Sequence, residues 1–392
     1  MTTSRKDAGL RHLLGGLILL VGLPAIYSMN ASHEWRAGGL IPVDHWCLLP
    51  ASAYPSGTTQ AIGIAIMLAV AFCIGSSLPS RPRKVLVALM LAGAGALALL
   101  TLNHRLVPRS AYDWTWLFVS RNQFAAFACL MFPVALTHGA RSQYEAFLGG
   151  RLSNPSGLWY LVAGLLAVSV IQTASRAGIV ILTLQLAGFI GIQWRIRRIH
   201  PFVIPPLSLL RKVLLGSALA LAIGLGTVSL IRSQQVLGAA GGDLDFRRVV
   251  RSDTWSMWRS RQWWGTGPGA FATVFPYYQT LPVEKYYFRH AHCEPLQFLA
   301  EFGLLGGGLT ILGAVLILKG ARRPPRSSHK LPAFRDLEGY GLLLAVGGVM
   351  LHSLVDFPFR HPLILLVTGV WVGLLAHAFT RNREVAESTS RR

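Results

Sequence analysis

Ten long apolar runs constrain this chain more than any other feature of its sequence. Each has 17 or more residues, enough for a helix to cross about 30 Å of hydrocarbon, and only the eighth holds a charged side chain, Glu301. With 52% hydrophobic and 14% charged residues, the chain is too apolar for a soluble domain. We therefore predict an all-α polytopic integral membrane protein. The predicted spans are 13–29, 60–78, 85–102, 122–138, 157–174, 177–194, 213–231, 295–318, 339–355 and 361–379.

The distribution of basic residues predicts the orientation. If the N-terminus is inside, 23 of the 37 Lys and Arg lie in cytoplasmic segments and 14 in outer segments. Eight of those 14 belong to one outer loop of about 60 residues, which is too long for the positive-inside rule to apply. The cytoplasmic segments therefore hold 23 Lys and Arg and the short outer segments hold 6, so we expect both termini in the cytoplasm. The net charge of +21 follows from this topology, and we expect no nucleic-acid partner.

The organisation along the chain predicts a single membrane domain, 1–392, with one large outer loop at 232–294. That loop is rich in Arg, aromatic residues, Gly and Pro rather than in linker residues, and loops of this length are usually functional. Its segment GTGPGAF at 265–271 does not fit a phosphate-binding loop, because no Lys-Ser/Thr follows it. We expect a fixed turn with close backbone approach there.

Ionisable residues gather at the predicted outer rim. Guanidinium groups hold two phosphate oxygens at once, so an arginine cluster there suits a lipid-anchored diphosphate, whereas arginines that merely reach the membrane surface are the alternative. Arg176 has a stronger claim, since a turn of only Ser175 and Arg176 has no need of a charge. The cluster comprises Arg121, Arg176, Arg247, Arg248, Arg251, Arg289, His290, His292, Glu301, His352 and Asp356.

Two members of this cluster suggest particular roles. An imidazole at His292 is able to accept a proton from a hydroxyl nucleophile, although a surface histidine at the start of a helix is the simpler interpretation. Glu301 lies one to two turns inside its span, where an ionisable group usually faces a cavity or a partner, and Gln297 is on the same helix face. The pair Asp243 and Asp245, and the run from His290 to Glu294, offer metal-ligand types, but both patterns are short, so we predict neither metal nor cofactor.

Four segments in this order resemble the O-antigen ligase and polymerase family: SRNQFAA at 120–126, TASRAG at 173–178, the stretch 247–271, and HAHCEPLQFLAEFG at 290–303. The segment HSLVDFP at 352–358 is a weaker fifth match. Members of this family are GT-C-like glycosyltransferases of the bacterial inner membrane, which move glycans from undecaprenyl diphosphate at the periplasmic face. The resemblance covers residues 120–375 and makes the loop 232–294 periplasmic.

The resemblance implies a role for each matching residue. The diphosphate arginines fall on Arg176 and on Arg247, with Arg248 and Arg251 as neighbouring registers, and the catalytic histidine falls on His292. Supporting roles fall to Arg121, Asn122, Glu301, His352 and Asp356. The implied activity is metal-independent transfer to lipid A-core, as a ligase, or to another lipid-linked repeat, as a polymerase. A transporter is the alternative from another class, although few ionisable groups lie within the predicted spans.

Overall fold

The computed structural model describes residues 2–36, 39–106, 117–118, 120–150, 154–199, 241–320 and 332–389. A π-helical segment, Ile18–Gly22, joins the first two helices, and strands β1 (His33–Arg36) and β2 (Gly39–Pro42) form an antiparallel hairpin. The helices are α1 (Thr2–Leu17), α2 (Leu23–Met29), α3 (Pro55–Ser77), α4 (Ser80–Leu106), α5 (Arg121–Leu148), α6 (Ser156–Gln172), α7 (Arg176–Ile199), α8 (Gly241–Ser260), α9 (Phe271–Val274), α10 (Glu294–Gly320), α11 (Pro332–Ser353) and α12 (Pro362–Thr389).

The prediction of an all-α polytopic membrane protein is confirmed. Nine of the ten predicted spans coincide with helices, and the seventh, 213–231, lies outside the described residues. The count of ten spans and the orientation stay predictions. Within the described ranges six segments are long and apolar enough to cross a membrane: Arg11–Met29, Pro55–Ser77, Ser80–Leu102, Arg121–Leu148, Arg176–Arg198 and Glu294–Gly320. Three shorter apolar helices are Ser156–Gln172, Leu337–Ser353 and Pro362–Ala376.

The chain divides into two compact units. The first unit comprises Met1–Ile74, Ala240–Arg323 and Ser353–Pro362, and the second comprises Gly75–Ala239, Pro324–His352 and Leu363–Arg392. Each unit is assembled from segments distant in sequence. The single membrane domain expected from sequence stays a prediction.

In the first unit, helix α10 is broken at Gly303, whose φ of 66° lies in the left-handed region. The break leaves backbone groups without helical partners, and the segment before α9 satisfies them. Leu304 N–H donates to Gln262 O at 2.8 Å, and Gly267 N–H donates to Glu301 O at 2.9 Å. The hydroxyl of Tyr27 donates to Phe302 O at 2.9 Å. Backbone polar groups at membrane depth need such internal partners, so the break and the docked segment require each other.

The glycine-rich segment 265–271 is the fixed turn that its composition predicts. Gly265, Gly267 and Gly269 all have positive φ, at 69°, 101° and 76°. A Cβ atom on Gly267 would lie 2.7 Å from Ser52 Cα, and one on Gly269 would lie 2.5 Å from Gly57 O. Only glycine meets both conditions, because other residues would strain the backbone and collide with the facing chain.

Helix α5 lies at the centre of the second unit. Of its most apolar stretch 89% is buried, compared with a third or less for the other five long membrane-capable helices of the described ranges. Polar side chains from neighbouring helices bind its backbone: Gln185 donates to Cys129 O at 2.9 Å, and Trp371 donates to Leu130 O at 3.2 Å. Such contacts between helices are a common way of joining transmembrane helices.

Candidate functional site

Helix α8, which the sequence did not predict, carries the candidate diphosphate arginines Arg247, Arg248 and Arg251. Val250, Thr254 and Met257 recur at helical spacing and form its buried face. On the same side the buried carboxylate of Asp253 accepts the N–H of Thr280 at 2.9 Å and its hydroxyl at 3.0 Å. Apolar burial and this carboxylate fix the rotation of the helix, and therefore the direction in which each arginine points.

Arg247 and Arg251 lie one helical turn apart on the flank of α8 that faces the turn after Ser353. Arg247 Nη1 donates to Val355 O at 2.9 Å. Arg251 Nη2 donates to His292 O at 2.9 Å and to Leu354 O at 3.4 Å. The buried Nε of Arg251 has no hydrogen-bond partner among the described residues. Arg251 is thus held at the backbone of the predicted catalytic histidine, and Arg247 is held at the residue before Asp356.

Arg248 points elsewhere. It is exposed, about 100° around the helix from Arg247, and makes no hydrogen bond or ion pair within the described part of the chain. The sequence left three neighbouring registers open for the diphosphate arginine. In the structure Arg247 and Arg251 bind the turn after Ser353, and Arg248 lies at the surface.

His292 is paired with Asp356. Its Nδ1 lies 3.5 Å from Asp356 Oδ1, and its ring contacts Phe357 edge-on with the centroids 4.9 Å apart. This residue has a φ of 50°, which is unusual for a residue other than glycine and turns the backbone sharply before α10. With Nδ1 facing the carboxylate, Nε2 is the nitrogen left to exchange a proton with a substrate.

His290 lies on the other side of Phe357, with ring centroids 4.5 Å apart. Burial lowers the pKa of His290 to about 4, helped by the positive charge of Arg360 and opposed by Asp356. A histidine with that pKa is neutral at pH 7. The two histidines of this segment are therefore chemically distinct, and only His292 faces a carboxylate in an ion-pair contact.

Glu301 has polar partners, as expected for an ionisable group within a predicted span. Only 2% of it is exposed, and it accepts from Gln297 Nε2 at 3.0 Å and pairs with Arg360 Nη2 at 3.3 Å. Gln297 Oε1 in turn accepts the N–H of Ala291 at 3.1 Å. A chain of polar contacts thus connects Arg360, at one end of the site, to the residue between the two histidines.

Three residues of this site were not assigned to it from sequence. Arg360 binds Glu301, Phe357 separates the histidines, and Glu294 accepts the N–H of Phe359 at 2.8 Å. Their signal in the sequence is weak, because each acts through a partner more than 50 residues away. Together they hold the turn at 356–360 against the start of α10.

In the second unit, Arg176 is the first residue of α7 and is exposed. The connection from α6 is the short segment 173–175, close to the two-residue turn expected from sequence. Ser175 Oγ accepts the N–H of Gly178 at 3.3 Å, and Ala174 has a φ of 51°. The tight turn and its serine cap hold the backbone of Arg176, and the guanidinium extends into the surroundings.

Three other predicted residues also belong to the second unit. Arg121 and Asn122 begin α5, where Ser120 Oγ accepts the N–H of Gln123 at 3.2 Å as the cap. His352 is buried at the end of α11 and is only 1% exposed. Cations at helix N-termini, as at Arg121 and Arg176, are opposed by the helix dipole and so favour a nearby anion.

The metal-ligand patterns do not form a ligand group in the part of the chain that the structure describes. Among those residues no three His, Cys, Asp or Glu side chains converge as a metal site requires, and this includes the segment from His290 to Glu294. The side chains of Asp243 and Asp245 lie outside the described residues. Metal independence stays a prediction.

Residues 161–311 match the family model described as O-antigen ligase, and the match includes Arg176, Arg247, Arg251, His292 and the glycine-rich turn. Comparison with curated proteins gives no match. The matched segment confirms the resemblance, and it implies a bacterial membrane enzyme of the glycosyltransferase type that acts on lipid-linked glycans. Over residues 161–311 the chain is similar to the O-antigen ligase family.

Proposed function

We propose that this protein transfers a glycan from undecaprenyl diphosphate to a hydroxyl of lipid A-core at the periplasmic face of the bacterial inner membrane. The observation that carries the proposal is a grouping of two permanent cations with a histidine–carboxylate pair. Arg251 binds the backbone of His292, Arg247 binds the backbone of Val355 next to Asp356, and His292 faces Asp356. This grouping supplies the two things glycosyl transfer from a diphosphate needs, charge stabilisation for the leaving group and a base for the acceptor.

In the proposed step the acceptor oxygen attacks the anomeric carbon of the glycan. The bond from that carbon to the diphosphate oxygen breaks, and the lipid diphosphate leaves with the electron pair. The hydroxyl proton moves to Nε2 of His292. Asp356, facing Nδ1, keeps the ring oriented and stabilises the imidazolium that forms.

The arginines act on the leaving group. Negative charge grows on the departing diphosphate, so cations that are already in position lower the transition state more than the ground state. Arg247 and Arg251 are held by backbone carbonyls, contacts that phosphate oxygens are able to replace or supplement. The resemblance assigns a further diphosphate contact to Arg176. No metal is needed in this scheme, so purified protein in excess chelator is expected to retain its activity.

Deletion of the gene tests the assignment. Loss of polysaccharide-capped lipopolysaccharide, with accumulation of long lipid-linked polymer, is the expected result for a ligase. Capping with single repeats instead would identify a polymerase, which shares the chemistry but uses a second lipid-linked repeat as the acceptor. If neither the polysaccharide on lipopolysaccharide nor the lipid-linked polymer changed, both functions would be contradicted. Complementation with His292→Ala is expected to fail, and complementation with Arg248→Gln is expected to succeed.

A further inference from the structure

The first turn of α4, in the second unit, concentrates positive charge where a helix least favours it. Arg81, Arg83 and Lys84 all lie there, and the turn has no acidic residue. The N-terminal end of a helix already carries a partial positive charge, so three cations raise the electrostatic energy of this end. Neither Arg83 nor Lys84 makes an ion pair among the described side chains. An anion bound there would neutralise the excess.

A small cavity opens beside this turn. Its volume is about 50 Å³, room for about three or four water molecules or one tetrahedral oxyanion. Arg83, Lys84, His138 and Glu338 are its ionisable lining residues, and Val87 and Leu342 are among its apolar ones. The lining of the cavity therefore combines charged groups with hydrocarbon.

The carboxylate in this cavity does not neutralise the two cations. Glu338 forms an ion pair with Arg141, which also binds Glu145 at 2.8 Å. Because Glu338 and Glu145 share Arg141, these three side chains leave one negative charge. The two cations Arg83 and Lys84 still give the cavity an excess of positive charge. That charge lies just before the apolar stretch 85–102, which is the depth at which a lipid phosphate meets the hydrocarbon.

We propose that this cavity binds the phosphate of an anionic glycerophospholipid. Arg83 and Lys84 hold the phosphate oxygens, and the first methylene groups of the lipid lie along Val87 and Leu342. A free phosphate would satisfy the cations but leave the apolar lining unused. A zwitterionic lipid would bring its own ammonium group next to two cations. On the predicted topology this end of α4 faces the cytoplasm, so the ligand is a lipid of the inner leaflet.

The test measures lipid binding on the purified full-length protein. After removal of bound lipid, dioleoyl-phosphatidylglycerol, dioleoyl-phosphatidylethanolamine or glycerol 3-phosphate is added. Retained lipid is counted by native mass spectrometry and thermal unfolding is followed in parallel. Phosphatidylglycerol is expected to bind and raise the melting temperature, and the other two are expected to do so much less. Equal stabilisation by phosphatidylethanolamine, or by glycerol 3-phosphate, would overturn the proposal.

Variants locate the site. Arg83→Gln combined with Lys84→Gln is expected to weaken phosphatidylglycerol binding about 30-fold, because each cation near an anionic lipid contributes about a factor of five. Arg81→Gln is the matched control, since Arg81 lies in the same turn but does not line the cavity. Lys84→Gln alone removes an exposed side chain, keeps the test valid if the double variant does not fold, and is expected to lose about fivefold. Unchanged affinity in the folded variants, or an equal loss in Arg81→Gln, would refute this site.

Discussion

Oδ1 of Asp356 lies 3.5 Å from Nδ1 of His292 and accepts the N–H of Phe357 at 3.0 Å. The N–H fixes the carboxylate, and the carboxylate in turn faces the imidazole. A separation of 3.5 Å is longer than a hydrogen bond of about 2.7–3.2 Å, so a small movement on substrate binding would tighten the contact. In the proposed mechanism this pair orients the base.

Asp356→Asn is expected to lower kcat by about 10- to 100-fold with little change in KM, because the amide keeps the size but cannot stabilise an imidazolium. The measurement is the initial rate of glycan transfer from lipid diphosphate on equal amounts of folded protein. Asp253→Asn, which alters a buried carboxylate bound to Thr280 rather than to His292, controls for loss of a buried charge. A normal kcat in Asp356→Asn would remove Asp356 from the mechanism.

Three of the four arginines of α8, Arg247, Arg248 and Arg251, are expected to respond differently to substitution by lysine. Arg247→Lys and Arg251→Lys are each expected to lose about 30- to 1,000-fold in rate, since an ammonium group cannot reproduce a planar guanidinium contact. Arg248→Lys is expected to stay within about twofold of the wild type, because Arg248 is exposed and points away from His292. The same transfer assay measures all three. If Arg248→Lys lost more of the transfer rate than the other two variants, the assignment of Arg247 and Arg251 to diphosphate binding would be wrong.

The break in α10 gives a prediction about stability. Gly303→Ala is expected to destabilise the protein by about 2–4 kcal/mol, because its Cβ would lie 2.3 Å from Trp263 O at a φ of 66°. Gly308→Ala is the matched control on the same helix, since a Cβ there meets nothing within 4 Å. Thermal unfolding in detergent measures both variants. Equal melting temperatures would show that the break is not required.

Hydrophobic runs predicted most of the helices because membrane insertion depends on local composition. The run 295–318 gave no sign of the break at Gly303, since its hydropathy is continuous and the break depends on the docked segment 262–267. Helix α8 was not predicted either, although Val250, Thr254 and Met257 have helical spacing. The loop 232–294 was identified only because it lacks a long apolar run, and that criterion does not detect a helix with a single apolar face.

The sequence selects candidate site residues but not the contacts between them. Residue type and position near the outer rim selected His292, Asp356 and Glu301, because ionisable groups there are rare. That Asp356 faces His292, and that Arg360 faces Glu301, depends on contacts between segments 60 residues apart, which one sequence does not reveal. Whether Arg247 or Arg248 faces the turn after Ser353 likewise depends on the rotation of α8, which one sequence does not reveal.

His290 gives a prediction about pH. Its folded pKa of about 4 lies below the ordinary 6.5, so the unfolded chain takes up the proton first as the pH falls. The stability associated with neutral His290 is fully present above pH 6.5 and is lost as the pH falls through 4. Between pH 6.5 and pH 4 the melting temperature of His290→Phe is expected to fall less than that of the wild type. Parallel curves for the two proteins would show that His290 does not titrate in this way.

Arg176 is expected to tolerate neither lysine nor alanine. The turn at 173–175 fixes its backbone, and its exposed side chain at the start of α7 is opposed by the helix dipole, so structural stability does not explain its charge. If its guanidinium grips the leaving diphosphate through two oxygens, Arg176→Lys keeps the charge but loses the planar contact. We expect a loss of about 30- to 1,000-fold in transfer rate, and a larger loss for Arg176→Ala.

An arginine that only anchors the helix end at the membrane surface makes the opposite prediction. Lysine would then serve as well as arginine, and Arg176→Ala would reduce the amount of folded protein more than the rate per molecule. The two cases are separated by measuring transfer per folded protein in membranes, with Arg195→Lys at the other end of α7 as the matched control. A fully active Arg176→Lys variant would exclude Arg176 from diphosphate binding and leave that role to Arg247 and Arg251.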